Sequence, residues 1–320
     1  MNDNSESSIP SSEDRRLIRI GTRDSELALW QAHTVEKKLN DLGYQTEIIS
    51  VKSTGDIILD KPLYELGITG IFTKTLDIAM LKGEVDIAVH SMKDVPTALP
   101  KGIVQAAVLE RASTLDILVH KGDLSFLDNS GTIASGSLRR KAQWLNKYPS
   151  HQVEDLRGNV NTRMQKLKDN NWNGAVFAAA GLERINLKPE TFINLDWMIP
   201  APAQGAMVVV AMENDIFSQE ALAHLNHKAS EICTFVERQF LKTLEGGCTA
   251  PIGALAEIND DLMTLKGVLF SLDGKVKLEI EKTINTTLYQ NFGELCATEI
   301  LENGGSELMR SIKKALEKKH

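Results

Sequence analysis

Short apolar runs alternate with longer stretches of helical periodicity through most of this chain. Leu17 to Ile20 reads as a strand broken at Gly21, and Leu27, Ala28, Trp30, Val35 and Leu39 then recur along one helix face. Strands are predicted over Thr46–Val51, Val85–Val89, Ile103–Leu109 and Ile117–Val119, with a helix over Phe72–Leu81. The alternation continues with strand Thr132–Ala134, helix Leu138–Lys147, strand Gln152–Leu156, helix Val160–Leu167 and strand Ala175–Ala179. Strands separated by helices predict an α/β fold of two lobes with largely parallel sheets and helices on both faces.

After Asn226 the pattern changes. A helix over Ala229–Leu244 leads into the turn EGGCTAP, then strands Ile252–Glu257, Leu262–Ser271 and Val276–Ile284, a helix over Phe292–Leu301 and another from Glu307. This segment is expected to form a smaller α+β C-terminal domain. The expected division is a disordered start over 1–14, domain 1 over 15–110 with 205–226, domain 2 over 111–204, and domain 3 over 227–320. Two crossings, near 109–113 and within Ile199–Met207, predict a hinge.

A length of 320 residues with 42% hydrophobic positions is enough for such cores. The net charge of -7 and only 5% aromatic residues argue against a nucleic-acid partner, which selects basic faces with stacking rings. No apolar run approaches the roughly 20 residues of a membrane span, and the serine-rich start lacks the apolar stretch of a signal peptide, so a cytoplasmic protein is expected. Cys233, Cys248 and Cys296 are widely spaced. His224 and His227 lie one helical turn apart without further ligands, so no metal is expected.

Against this acidic balance, arginines recur just past predicted strands. Arg23 follows the first strand, Arg139 and Arg140 follow the turn Ser135–Gly136–Ser137, Arg157 precedes the N-cap candidate Asn159 with Arg163 one turn on, and Arg184 follows Ala175–Ala179. Lys93 and Asp94 follow Val85–Val89. Open parallel sheets bind ligands at their strands' carboxyl ends, where helix N-termini favour anions. Any one of these arginines alone reads as a solvated surface residue. Their repetition at equivalent places points to an anion pocket. Asp94 reads either as a cap before Pro96 or as a carboxylate that stabilises a cation formed in a reaction. Cys248 has no adjacent base, so the residues alone leave three readings open: an enzyme acting on an anion, a two-lobed anion-binding module, and a thiol-dependent hydrolase.

In this order, VHSMKDVP, SLRR, LRGNVNTR, AGLERI, QGAM and LEGGCTAPIG strongly resemble the porphobilinogen deaminase (hydroxymethylbilane synthase) family, from about Ile18 to the last helix. The resemblance implies two lobes like periplasmic binding proteins and a third domain whose cysteine, matched by Cys248, carries a dipyrromethane cofactor through a thioether. It implies a transferase of tetrapyrrole and haem biosynthesis that condenses four porphobilinogen molecules head to tail with loss of ammonia and releases 1-hydroxymethylbilane by hydrolysis. It further implies a monomer, catalysis by Asp94, and binding of cofactor and substrate carboxylates by Arg23, Lys93, Ser135, Ser137, Arg139, Arg140, Arg157, Arg163 and Arg184. The chain departs from the family at Glu65 and Thr69, where many members have lysines, at Gly136 in place of a hydroxyl residue, and at Ala203 in place of a more usual glycine.

Overall fold

A computed structural model describes residues 16–52, 73–244 and 250–318. Cys248, Glu65, Thr69, the expected disordered start and the first residue of the helix expected from Phe72 lie outside the described residues.

The first lobe is built on a five-stranded sheet. Strands β1 (Ile18–Thr22), β2 (Thr46–Ser50) and β3 (Ile87–Ser91) are parallel neighbours, while β4 (Ile103–Val108) lies at the far edge. Gly21 sits inside β1 rather than ending it: a Cβ there would lie 3.0 Å from Val85 Cγ2 and 3.1 Å from Leu76 Cδ2, so the missing side chain lets a helix approach. That helix is α2 (Lys74–Leu81). Helix α1 (Glu26–Asp41) is capped by Ser25 and buries Ala28, Ala32, Val35 and Leu39.

The second lobe repeats the plan. Strands β6 (Thr132–Ala134), β7 (Gln152–Glu154) and β8 (Gly174–Ala178) are parallel, and β5 (Asp116–His120) and β9 (Phe192–Asn194) complete the order β7-β6-β8-β5-β9. Helix α3 (Leu138–Lys147) and helix α4 (Val160–Asp169) follow β6 and β7, and the short helix α5 (Ala179–Arg184) follows β8. Each sheet is therefore parallel over three strands, with antiparallel pairing where the chain enters or returns: β5 runs against both β8 and β9. In the first lobe β10 (Met207–Met212) enters between β3 and β4, antiparallel to both. The sequence pattern predicts neither β9 nor β10.

Helix α6 (Ile216–Ala223) covers the first sheet, and helix α7 (Lys228–Thr243) leads into the third unit. There the antiparallel strands β11 (Ile252–Asn259), β12 (Leu262–Phe270) and β13 (Lys277–Asn285) pack against α7 and helix α8 (Phe292–Ile300), with helix α9 (Ser306–Glu317) closing the chain. Phe240, Leu265, Leu269 and Cys296 form part of that core. Burial pushes the Cys233 and Cys296 thiols up to about 11, so both behave as inert apolar groups.

Glu237 joins the units. Fully buried on α7, it receives both guanidinium arms of Arg111 at 2.7 and 2.9 Å, the Ala203 N–H at 2.6 Å and the Ala256 N–H at 2.7 Å. One carboxylate thus pins both interlobe crossings to the third sheet. No helix among the described residues is long and apolar enough to cross a membrane, and none of their His, Cys, Asp and Glu side chains cluster in a group suited to a metal ion.

Candidate active site

The carboxyl ends of β1, β3, β7 and β8 face a cleft between the lobes, of about 490 Å³. Arg23 leaves β1 just ahead of the α1 cap. Lys93 and Asp94 lie on a 3₁₀ turn that prolongs β3, so both reach the cleft floor from a buried strand. From the second lobe come Arg140 on the first turn of α3, Arg157 past β7, and Arg163 on α4. Phe177, Leu182 and Ile185 give the cleft an apolar wall. Five cations and three carboxylates, Asp24, Glu26 and Asp94, therefore face a space with one greasy side.

Local backbone chemistry places these groups. Asn159 caps α4 by accepting the Thr162 N–H at 2.9 Å, and Gly158 before it has φ +112°, a left-handed conformation that favours glycine. Ser137 caps α3 by accepting the Arg140 N–H at 3.4 Å, and the Ser135 hydroxyl accepts the Ser137 N–H at 3.3 Å. At Gly136 a Cβ would lie 2.3 Å from the Leu156 carbonyl oxygen, so the two strand-to-helix turns touch there. The Asn161 amide donates to Glu26 Oε2 at 2.7 Å, linking α4 to α1 across the lobes.

The cations differ in electrostatic state. Burial, with Arg140 adding to it, pulls the Lys93 ammonium down to about 8, and Asp94 and Asp116 oppose that fall. Burial and the neighbouring Arg140 and Arg157 pull Arg163 down to about 10, while its Nε donates to the Gly158 carbonyl at 2.8 Å. Burial also lowers Arg157. Beneath Arg23, a small cavity of about 60 Å³ reaches Gln31 and His90. Burial, and then Arg23, hold His90 down to about 4, so the ring is neutral.

Not every expected binder faces the cleft. Asp116, at the start of β5, is fully buried and receives Arg139 Nη1 at 2.6 Å and Arg140 Nη2 at 2.7 Å. Arg139 also donates to the Ile199 carbonyl and is not among the cleft-lining residues; Arg140 is shared between Asp116 and the cleft. Ser135 and Ser137 cap and brace the α3 turn and do not line the cleft. Arg184 also lies off the lining: it donates to the Gly205 carbonyl at 2.6 Å and stands 5.6 Å from the centre of the Trp30 ring, and burial lowers it to about 10. In this structure these four residues serve the frame. Asp116 is the group that sequence reasoning missed. Its signal was a lone carboxylate opening the otherwise buried run DILV, where a charge requires a counter-charge. Glu237 carried a similar signal, since it falls among Cys233, Val236 and Phe240 on the apolar face of α7.

Comparison with known proteins identifies the family of the chain. Residues 18–220 match the family model "Porphobilinogen deaminase, dipyromethane cofactor binding domain", and residues 231–302 match "Porphobilinogen deaminase, C-terminal domain". The porphobilinogen deaminase of Campylobacter hominis is 40% identical over 300 residues, 92% of this chain and 97% of that protein. The protein of Oryza sativa subsp. japonica named "Porphobilinogen deaminase, chloroplastic" is 42% identical over 278 residues, 83% of this chain and 78% of its own length. The porphobilinogen deaminase of Chlorobium chlorochromatii is 38% identical over 310 residues, covering 94% and 99%.

Proposed function

The chain belongs to the porphobilinogen deaminase family, and on that premise we propose that the interlobe cleft is where its cofactor and substrate carboxylates are held around Asp94. The enzyme is a transferase of tetrapyrrole biosynthesis: it condenses four porphobilinogen molecules head to tail, with loss of ammonia, and releases 1-hydroxymethylbilane. Its cofactor is dipyrromethane.

The observation that carries the site assignment is the charge pattern of the cleft. Arg23, Lys93, Arg140, Arg157 and Arg163 outnumber the three carboxylates of the lining, Asp24, Glu26 and Asp94, beside the wall of Phe177, Leu182 and Ile185. Pyrroles bearing acetate and propionate arms match both features, with carboxylates for the cations and flat rings for the wall. The donor set also fits the cofactor: Lys93 and Arg163 are cations lowered by burial, a state that neighbouring carboxylates relieve. When bound, the dipyrromethane supplies the nucleophilic pyrrole carbon for the first condensation. Cys248, in the LEGGCTAPIG segment that resembles the family, is the proposed attachment point.

The chain's own residues then have distinct tasks. The arginines hold carboxylates and fix the orientation of the ring to be joined. Asp94 accepts pyrrole N–H groups and stabilises the positive charge that develops on porphobilinogen as its amine departs. The neutral His90 adds no charge beneath Arg23, which leaves the guanidinium's field directed at the ligand. Ser135, Ser137, Arg139 and Arg184 act by shaping the frame. A monomeric cytoplasmic enzyme with the domain division expected above completes the proposal; the sheets supporting that division exchange chain only at the two crossings.

Intact mass spectrometry tests the assignment. The purified protein should carry a two-pyrrole adduct that is absent from Cys248→Ser, and porphobilinogen should add successive single-pyrrole increments. Active protein with an unmodified Cys248 would overturn the attachment.

A further inference from the structure

Gln204 lies in the QGAM segment, at the return crossing between the lobes, and is fully buried. Its side-chain amide is committed in both directions. Nε2 donates to the Thr114 carbonyl at 2.8 Å and to Asp116 Oδ1 at 3.0 Å, two acceptors that only an NH₂ group can satisfy together. That fixes which end is oxygen, and Oε1 accepts Lys93 Nζ at 3.3 Å. The backbone is held too: the Gln204 carbonyl accepts Arg111 Nε at 2.8 Å, and its N–H donates to the Ala201 carbonyl at 2.9 Å. Next to it, Gly205 has φ +85°, and a Cβ there would lie 2.6 Å from both the Ala112 and Ser113 carbonyl oxygens. The two crossings are therefore in backbone contact at this residue.

We propose that Gln204 is a positioning residue for the reaction: it carries the orientation set by Asp116 and Thr114 in the second lobe across the crossing and holds the Lys93 ammonium beside Asp94 at the cleft floor. The inference rests on the reading of that cleft as the reactive site. The charged groups facing Lys93 are Asp94 beside it, Asp116, and the guanidinium groups of Arg139 and Arg140. Burial disfavours the charged form of Lys93, and the hydrogen bond to the neutral acceptor on Gln204 favours it. The arrangement also ties substrate binding to lobe geometry, because a shift of the return crossing relative to β5 would move the oxygen that holds the lysine.

The test measures Lys93 itself. Holoenzyme is treated with cyanate, which carbamylates only neutral amines, and Lys93 modification is followed by peptide mass spectrometry from pH 6 to 10. In Gln204→Met, which keeps the length but removes both amide functions, the midpoint should fall by about one pH unit from about 8, giving roughly fivefold faster carbamylation at pH 7. The limiting rate at high pH should change far less, which separates lost charge stabilisation from mere exposure. An unchanged midpoint would overturn the proposal. Should Gln204→Met fail to fold, wild-type protein decides: the Gln204 side-chain amide resonances should shift with the Lys93 titration, and their indifference would overturn it. Because neither readout depends on turnover, a failure here is distinguishable from a failure of the cleft assignment, which the adduct mass reports.

Discussion

Two aspartates lie on either side of Arg140, one paired with it and one sharing the cleft it lines, and they do opposite things. Asp116 is fully buried, saturated by Arg139, Arg140 and Gln204, and held well below the ordinary carboxylate range by those partners against the cost of burial. Asp94 faces the 490 Å³ cleft among Arg23, Lys93, Arg157 and Arg163. An arginine after a strand is thus not in itself a binder. What separates frame from site is whether the guanidinium is closed inside the protein on a buried carboxylate, as Arg139 is, or lines the cleft, as Arg163 does.

The largest effect should come from Asp116→Ala, which strands two buried guanidinium groups. Loss of one partner from a buried ion pair costs about 3–5 kcal/mol, and urea unfolding should show a drop of that size. Asp94→Ala should break the comparison in the other sense: stability within ~0.5 kcal/mol of wild type in the same unfolding experiment, but turnover lower by roughly 10²–10³-fold, the order of loss seen when one transition-state charge partner is removed. Equal stability losses in the two variants would erase the distinction.

A smaller loss is expected at the crossing on which both clusters rest. Gly205→Ala puts a Cβ 2.6 Å from two carbonyl oxygens at φ +85°, and should lower stability by about 1–3 kcal/mol in thermal unfolding. The last effect is one of pH, and at neutral pH it is a matter of slope alone. His90 titrates at about 4 in the folded protein against 6.5 in the open chain, so as pH falls the unfolded state takes up its proton first. Its contribution is stability present above about pH 6.5 and lost progressively down to about pH 4. His90→Phe should therefore give a shallower decline of stability across that window. A slope identical to wild type would show that other groups govern it.

The division between frame and site also explains what the sequence could disclose. Helix Leu138–Lys147 and the Asn159 cap follow from local periodicity and capping chemistry, which a chain carries on its face. Strand Met207–Met212 was hidden because its buried run VVVA directly follows the hinge motif, and its place between β3 and β4 is settled by tertiary return of the chain. The arginine positions were legible as a set, since strand ends converge in an open sheet. Their partners were not. Nothing local tells Arg139 and Arg140 that Asp116, more than 20 positions earlier, will neutralise them, or that Gln204 will link that carboxylate to Lys93. Pairings at that separation depend on the fold, so charge counting along the chain overstates the cations available to a ligand.

The central claim is that the arginines lining the cleft, and not Arg139 buried on Asp116, carry the growing polycarboxylate. Mass-resolved single-turnover elongation of Arg163→Met holoenzyme, given limiting porphobilinogen, tests it most directly. Partially elongated adducts should accumulate that wild type passes through, while the two-pyrrole adduct remains in place and the protein unfolds at no lower temperature than wild type. A ladder of adducts indistinguishable from wild type would contradict the claim.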